Sequence, residues 1–366
     1  QAASTRPSIS AATAKLNADT GFHVTATDSQ PSLDLACKWK GESGNSIDVR
    51  VNYLDTDELP SGITATVTAM NGGAVDPSVQ PAIDAMAGTQ YETIASGIMS
   101  TANLTLFKDL LLVRWGPMGP LEGQLFIGRT STLGTTKTDS LAAGVAVGEA
   151  HNSPFLCVME GGLSPSTPWA WAAVTAAIDA KQTQLDVNLP RQTDLMPGIL
   201  PTRPEHTYDR GERQSLLEVG VATHVRAVDG TARVERLVTT YTTDANNVPD
   251  TSFQDVLVVR TLAYMRFSAR ARMAIRFPKY KIAADSFQPP AGSKVCRPLD
   301  VRRELILLAS RDWTQRTIIQ NVQEVLVPGL IVQLHNNDPA TGRIDARIPA
   351  KVIRALRVTA MQIAFS

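Results

Sequence analysis

Period-two alternation dominates the start of the chain. The runs 22–27, 33–39, 47–53 and 63–70 alternate apolar and polar side chains, as half-buried antiparallel strands do. Gly41-Glu42-Ser43-Gly44-Asn45 is a turn cluster between them, and a short helix over 8–16 with Pro7 ahead of it comes first. Residues 1–75 therefore read as a small β-rich domain.

From 76 to 250 the period changes. Helices over 79–86, 102–115, 140–149, 169–180 and 212–219 interleave with apolar strands at 91–98, 121–127 and 154–159. That alternation predicts a mainly parallel sheet with helices on both faces, a central α/β domain. Ser166-Thr167-Pro168 signals a helix start, and Asp229-Gly230 between 222–228 and 231–239 signals a hairpin. The proline-rich stretch 189–204 reads as an exposed, stiff loop.

Residues 251–366 read as an α+β domain, with helices over 253–277 and 299–313 and strands at 344–348 and 358–365. The first helix has apolar groups around most of its circumference, which predicts a largely buried element. Arg260 falls on its apolar stripe, where a guanidinium needs a carboxylate or carbonyl partner.

Composition narrows the function. The chain has 366 residues, 43% of them hydrophobic, without a run of the roughly 18 apolar residues that a membrane span needs and without the pattern of a secretory leader. Cys37, Cys157 and Cys296 are far apart and odd in number, which suggests reduced thiols and a protein made in a reducing cytoplasm. The formal net charge is +0, yet residues 251–366 hold 18 Lys and Arg against 8 Asp and Glu, and the first 250 hold 17 against 27. This asymmetry gives no reason for general nucleic-acid binding. It fits attraction between copies of the chain, or to an acidic partner through the C-terminal part, the alternative being pairing between its own domains.

Chemistry is sparse. His23, His151, His206, His224 and His335 form no HExxH or zinc-like spacing, and no GxSxG or GxGxxG occurs. The stretch 134–138, Gly-Thr-Thr-Lys-Thr, resembles a phosphate loop only superficially, because Thr136 stands where glycine must precede the lysine. It reads as a helix-start loop. A serine–histidine–acid triad around His151 or His224 is not excluded by counting, although a hydrogen-bonded structural histidine is the simpler reading. Trp169 and Trp171 read as anchors of a helix to the sheet. No catalytic, metal or cofactor site is expected.

Nearly the whole chain resembles the Mu-like phage tail sheath family. The likeness is carried, in order, by Lys40-Gly41-Glu42, Gly44-Asn45, Trp115-Gly116-Pro117, Asn152-Ser153-Pro154, Pro168-Trp169-Ala170-Trp171 and Leu195-Met196-Pro197-Gly198-Ile199. It continues through Arg210-Gly211-Glu212-Arg213, Val234-Glu235-Arg236-Leu237-Val238-Thr239-Thr240-Tyr241, Pro249-Asp250-Thr251 and Thr261-Leu262-Ala263-Tyr264-Met265-Arg266, and ends with Arg357-Val358-Thr359-Ala360-Met361-Gln362-Ile363. Each motif is weak alone; their order is specific.

The resemblance implies a non-catalytic structural subunit that polymerises as helical hexameric rings around a tail tube and contracts to drive the tube through the host envelope. It implies a subtilisin-like central fold without the active site, with tube, baseplate and terminator proteins as partners. It also implies assembly in the host cytoplasm, a place in the virion, and neither nucleic-acid binding nor membrane insertion. Sheaths of related injection machines, such as a bacteriocin or secretion apparatus, are the first alternative, and a subtilisin-like hydrolase the second. Strand exchange between neighbours would use Val358, Thr359, Ala360, Met361, Gln362, Ile363, Ala364 and Phe365, main-chain hydrogen bonds linking one ring to the next. Grip on the tube would use Arg297, Arg302 and Arg303 near the C-terminus. Family members usually carry a longer segment ahead of the β domain, including an N-terminal arm, so this sequence reads as part of a longer protein, the alternative being a different linkage between rings.

Overall fold

The computed structural model describes residues 9–51, 57–59, 61–62 and 64–357. In chain order the first elements are α1 (Ile9–Ala18), β1 (Val24–Ser29), β2 (Ser32–Cys37), α2 (Gln80–Met86), β3 (Thr93–Ser96), α3 (Thr101–Arg114), β4 (Gln124–Arg129) and α4 (Lys137–Ala150). They are followed by β5 (Leu156–Glu160), α5 (Pro168–Leu185), α6 (Arg210–Glu218), β6 (Val221–Arg226), β7 (Ala232–Arg236) and α7 (Val256–Arg276). The last are β8 (Lys281–Ile282), β9 (Val295–Cys296), α8 (Pro298–Leu308), β10 (Ile331–Leu334) and β11 (Ile344–Arg347). The fold is mixed α/β.

The main sheet has the order β3-β4-β5-β6-β7, parallel through β6 and closed by the antiparallel β6–β7 hairpin. Every residue of β4 and β5 is buried, the mark of strands covered on both faces. Their side chains alternate accordingly. Leu125, Ile127, Leu156 and Val158 pack with Leu104, Phe107 and Leu111 of α3 and Leu216 of α6. Phe126, Cys157 and Met159 face the other way, onto Trp171, Ala176 and Ile178 of α5. At Gly128 α5 lies so close that a Cβ would meet the Pro168 carbonyl and sit 2.6 Å from the Trp171 Cβ.

Local chemistry sets several boundaries. Asp209 and Glu212 form a reciprocal capping box at the start of α6, which accounts for the Arg210–Arg213 motif. In the hairpin turn Gly230 has φ +78°, and the Asp229 carboxylate accepts from the Thr231 amide at 3.0 Å.

Three expectations need correction. Residues 47–51 and 64–70 form no strand; residues 52, 53 and 63 of those two runs lie outside the described residues. Alternation alone does not supply a pairing partner. The proline-rich stretch 189–204 is not an exposed loop: Thr193 and Met196 donate backbone hydrogen bonds to Val234 and Ala232, and Met196 and Ile199 sit in the core. Helix α7 is buried only in its first half, from Val256 to Thr261 and at Met265, while Phe267 is 61% exposed and Ile275 78%.

Around α7 and α8 a third cluster gathers Met265, Val301, Leu305, Trp313, Ile318 and Ile319. After α8 the chain makes a π-helical turn over Ala309–Trp313. β10 and β11 form an antiparallel pair, β8 and β9 a two-residue parallel one. The segment 351–357 runs past Ile318–Gln320, with Ile353 donating to the Ile318 carbonyl at 2.9 Å. At the other end His23, Trp39 and Trp169 meet edge to face with ring centroids 5.5 Å apart, joining the β1–β2 hairpin to α5. Trp171 anchors α5 to the sheet as expected; Trp169 serves the hairpin instead.

Replacing Gly128 with alanine is expected to force α5 off β4 and to lower stability by about 1–3 kcal/mol, as overpacking does; an unchanged urea midpoint would show that α5 has room to move.

Candidate functional site

Residues able to do chemistry or to bind fall into an inner and an outer set. At the centre of the inner set Asp179 on α5, fully buried, accepts Arg191 Nε on Oδ1 at 3.0 Å and Arg260 Nε on Oδ2 at 2.7 Å. Arg260 also donates to the Glu92 carbonyl and, at 2.6 Å, to Thr93 Oγ1; Arg191 donates to the Leu189 carbonyl and to Thr183 Oγ1 at 2.6 Å. The guanidinium foreseen on the apolar stripe thus has both carboxylate and carbonyl partners. A second buried pair joins Arg129 to Glu160 at 2.6 Å at the ends of β4 and β5, beside a chain of hydroxyls from Ser131 and Tyr208 to Ser140. Burial pushes the Glu160 carboxyl up, and the Arg129 charge opposes that shift.

None of this assembles a triad. His224 Nδ1 lies 2.9 Å from the Glu160 carbonyl with its ring 4.5 Å from that of Trp171, and burial pushes its pKa down to about 4. His151 is buried and also pushed down. Among the described residues neither ring hydrogen-bonds to a serine hydroxyl, and no three His, Cys, Asp or Glu side chains converge as a metal site. No helix among them is long and apolar enough to cross a membrane. The loop before α4 is the expected helix start, where Thr136 Oγ1 accepts from the Asp139 amide at 3.1 Å.

The outer set lies on α7 and α8. Glu122 accepts Arg266 at 2.7 Å and Arg270 at 2.6 Å; Glu304 accepts Arg272 at 2.7 Å and Arg276 at 2.8 Å. Burial would raise both carboxyls, but the arginine hydrogen bonds and charges hold them below the usual carboxylate range. Each acid therefore neutralises one of two cations and leaves the other's charge at the surface.

The three arginines singled out by sequence differ from one another. Arg297 is tied to Asp300 at 3.0 Å and Arg302 donates to the carbonyls of Val327 and Leu330, so both are engaged within the chain. Arg303 projects, with its side chain 64% exposed and Asp300 3.8 Å away. Residues Val358 to Phe365 lie outside the described residues. The last described residue, Arg357, bonds Asp255 at 2.6 Å, beside Arg236 at 3.0 Å. Sequence reasoning missed Arg270, Arg272 and Arg276. Their spacing on one helix was visible, but the acids that fix them were not.

Residues 68–240 match the family model of the phage tail sheath protein central domain. Over 350 residues the chain is 29% identical to the Mu-like prophage FluMu tail sheath protein of Haemophilus influenzae, covering 95% of this chain and 69% of that protein. In fold it is similar to the sheath tail protein of Listeria innocua, with a TM-score of 0.52 and 14% identity over 88% of this chain and 67% of that one. It is likewise similar to the PVC sheath complex of an extracellular contractile injection system in the contracted state, with a TM-score of 0.51 and 13% identity over 76% and 72% of the respective chains.

Truncating Asp179 to alanine leaves two buried guanidinia without their counter-ion and is expected to cost about 3–5 kcal/mol in urea unfolding, a loss below about 1 kcal/mol contradicting the role given to it. The lowered pKa of His224 makes a second expectation. The unfolded imidazole binds its proton near 6.5, above the folded group, so this contribution to stability is complete above about pH 6.5 and is lost as pH falls towards about 4. The stability difference between the native chain and His224→Gln is expected to shrink across that window; a difference independent of pH would refute it.

Proposed function

We infer from the family to which this chain belongs, the phage tail sheath proteins, that it is the repeating structural subunit of a contractile tail sheath. Its place would be the virion, after assembly in the host cytoplasm, as helical hexameric rings around a tail tube, with baseplate and terminator proteins at the ends. The observation that carries a structural rather than catalytic reading is the use made of reactive groups. His224 is bonded to a main-chain carbonyl, and the acids with the deepest burial are engaged with arginines. The partly exposed arginines of the outer set belong to two packed helices, α7 and α8.

In this reading the chain works in three regions, 1–75, 76–250 and 251–366, the middle one having a subtilisin-like plan without its serine site. Residues 358–365 act as the strand lent to a neighbour, leaving from Arg357. Of the three arginines assigned to the tube, Arg303 makes the direct contact, while Arg297 and Arg302 hold α8 in place for it. Exposed ion pairs contribute about 0.2–1 kcal/mol each, so many around a ring add up while each releases readily on contraction. The fold shared with the sheath of an extracellular contractile injection system supports a second reading, in which the same subunit serves an injection machine without a genome.

Co-expression with the tube protein, followed by electron microscopy, tests the reading. Full-length chains are expected to form sheaths, and chains lacking 358–366 to remain folded monomers. Arg303→Glu is expected to form fewer sheaths on the tube without a change in thermal stability. Sheaths of normal length from the shortened chain would refute strand lending, and unchanged co-assembly of Arg303→Glu would refute the tube contact.

A further inference from the structure

One cavity has been given no role so far, although residues of both the inner and the outer set line it. A groove of about 670 Å³ runs between β3, α5 and α7, lined by Leu121, Val187, Ala263 and Phe267, with Arg260 in its wall and the Glu122–Arg270 pair at its rim. It does not end with the cavity. Ala271, Ala274 and Ile275 follow Phe267 at four, seven and eight residues, so they continue its line along one face of α7. Phe267 and Ile275 are 61% and 78% exposed on that face. The second half of α7 thus packs Ala269, Met273 and Phe277 onto the cluster around α8, while the face that carries Phe267 and Ile275 stays exposed.

The flanks of this stripe are charged in a particular way. At 100° per residue, Arg266 and Arg270 fall on one side of it and Arg272 and Arg276 on the other. Each pair shares one nearly buried carboxylate, Glu122 or Glu304, and carries one uncompensated positive charge. Both pairs are held in orientation before any partner arrives, which reduces the ordering cost of a contact. A complementary surface must offer apolar side chains for the stripe and carboxylates for the flanks. A polyphosphate backbone supplies the charge but not the apolar part.

We propose that the α7 groove is a docking surface for a second copy of this chain, entered by an acidic surface from its first 250 residues. Those residues carry 17 Lys and Arg against 27 Asp and Glu, whereas 251–366 carry 18 against 8, so head-to-tail contact between copies brings opposite charges together. The proposal rests on the sheath reading and adds to it a side-chain interface separate from the lent strand.

The test is sheath formation by the full chain and by Phe267→Glu and Phe267→Leu, with circular dichroism melting to confirm folding. The glutamate is expected to pair with the flanking arginines and repel an acidic partner. The polymer fraction would fall about tenfold or more at unchanged melting, while the leucine variant keeps it. A photo-crosslinking residue at 267 in the otherwise native chain is expected to capture residues 1–250 of another copy. Polymers of normal length from Phe267→Glu, or crosslinks only within the same chain, to another protein or to nucleic acid, overturn the proposal alone. A native chain that stays monomeric beside its tube overturns the sheath reading and this proposal with it.

Discussion

The shared carboxylate of Asp179 is the constraint on which the rest depends. It sits at zero exposure on α5 and holds two guanidinia that arrive from different directions, Arg191 from the segment after α5 and Arg260 from α7. Through Arg260 it also reaches the Glu92 carbonyl and Thr93 at the edge strand β3. A charge buried this deeply has no stable alternative but to be paired, so all four segments must arrive together. The helix that starts the C-terminal part is thereby fastened to the central sheet by its first half, while its second half packs Ala269, Met273 and Phe277 onto the cluster around α8 and leaves one face outward.

The same arrangement, one acid between two arginines, recurs with decreasing burial. Asp255 takes Arg236 and Arg357; Glu122 takes Arg266 and Arg270; Glu304 takes Arg272 and Arg276. Inside, the surplus charge is absorbed by carbonyls, as at Arg191 and Arg260. Outside, the Trp115 and Gly116 carbonyls take up Arg266 in the same way, while Arg270, Arg272 and Arg276 stay partly exposed. A chain of zero net charge thus builds a strongly cationic face without a cluster of unsupported lysines, and the acids that orient the arginines also keep the helices packed. On the sheath reading, in which the protein attaches to its neighbours, moves and remains attached, rigid supports under individually weak contacts suit both requirements.

Much of the central fold was legible because its physics is local. The apolar runs that became β4 and β5, the start of α5 at Pro168 and the Asp229-Gly230 turn all depend on neighbours within a few positions. The resemblance to tail sheaths rested on short motifs that the structure explains in part. Leu195–Ile199, for example, turns the chain into the core beside β7, with Gly198 at φ +75°. The same stretch was misread as exposed because its prolines hide any periodicity, while the hydrogen bonds that place it come from a strand some forty residues later.

By itself the sequence determined the order of the strands and helices that build the central sheet, that the charge is divided between the two ends of the chain, and that Arg260 must find a carboxylate or carbonyl partner. Only the tertiary structure decided which acid, because Asp179 is 81 positions away and Glu122 lies 148 from Arg270. Helical spacing with Val301, Leu305 and Leu308 inward already turned Arg303 outward and put Arg302 at the margin; the tertiary structure added the contacts that Arg297 and Arg302 close within the chain. Helical periodicity gives the face on which a side chain stands. Whether that face is covered depends on segments distant along the chain, and it is this that left Phe267 and Ile275 in the open.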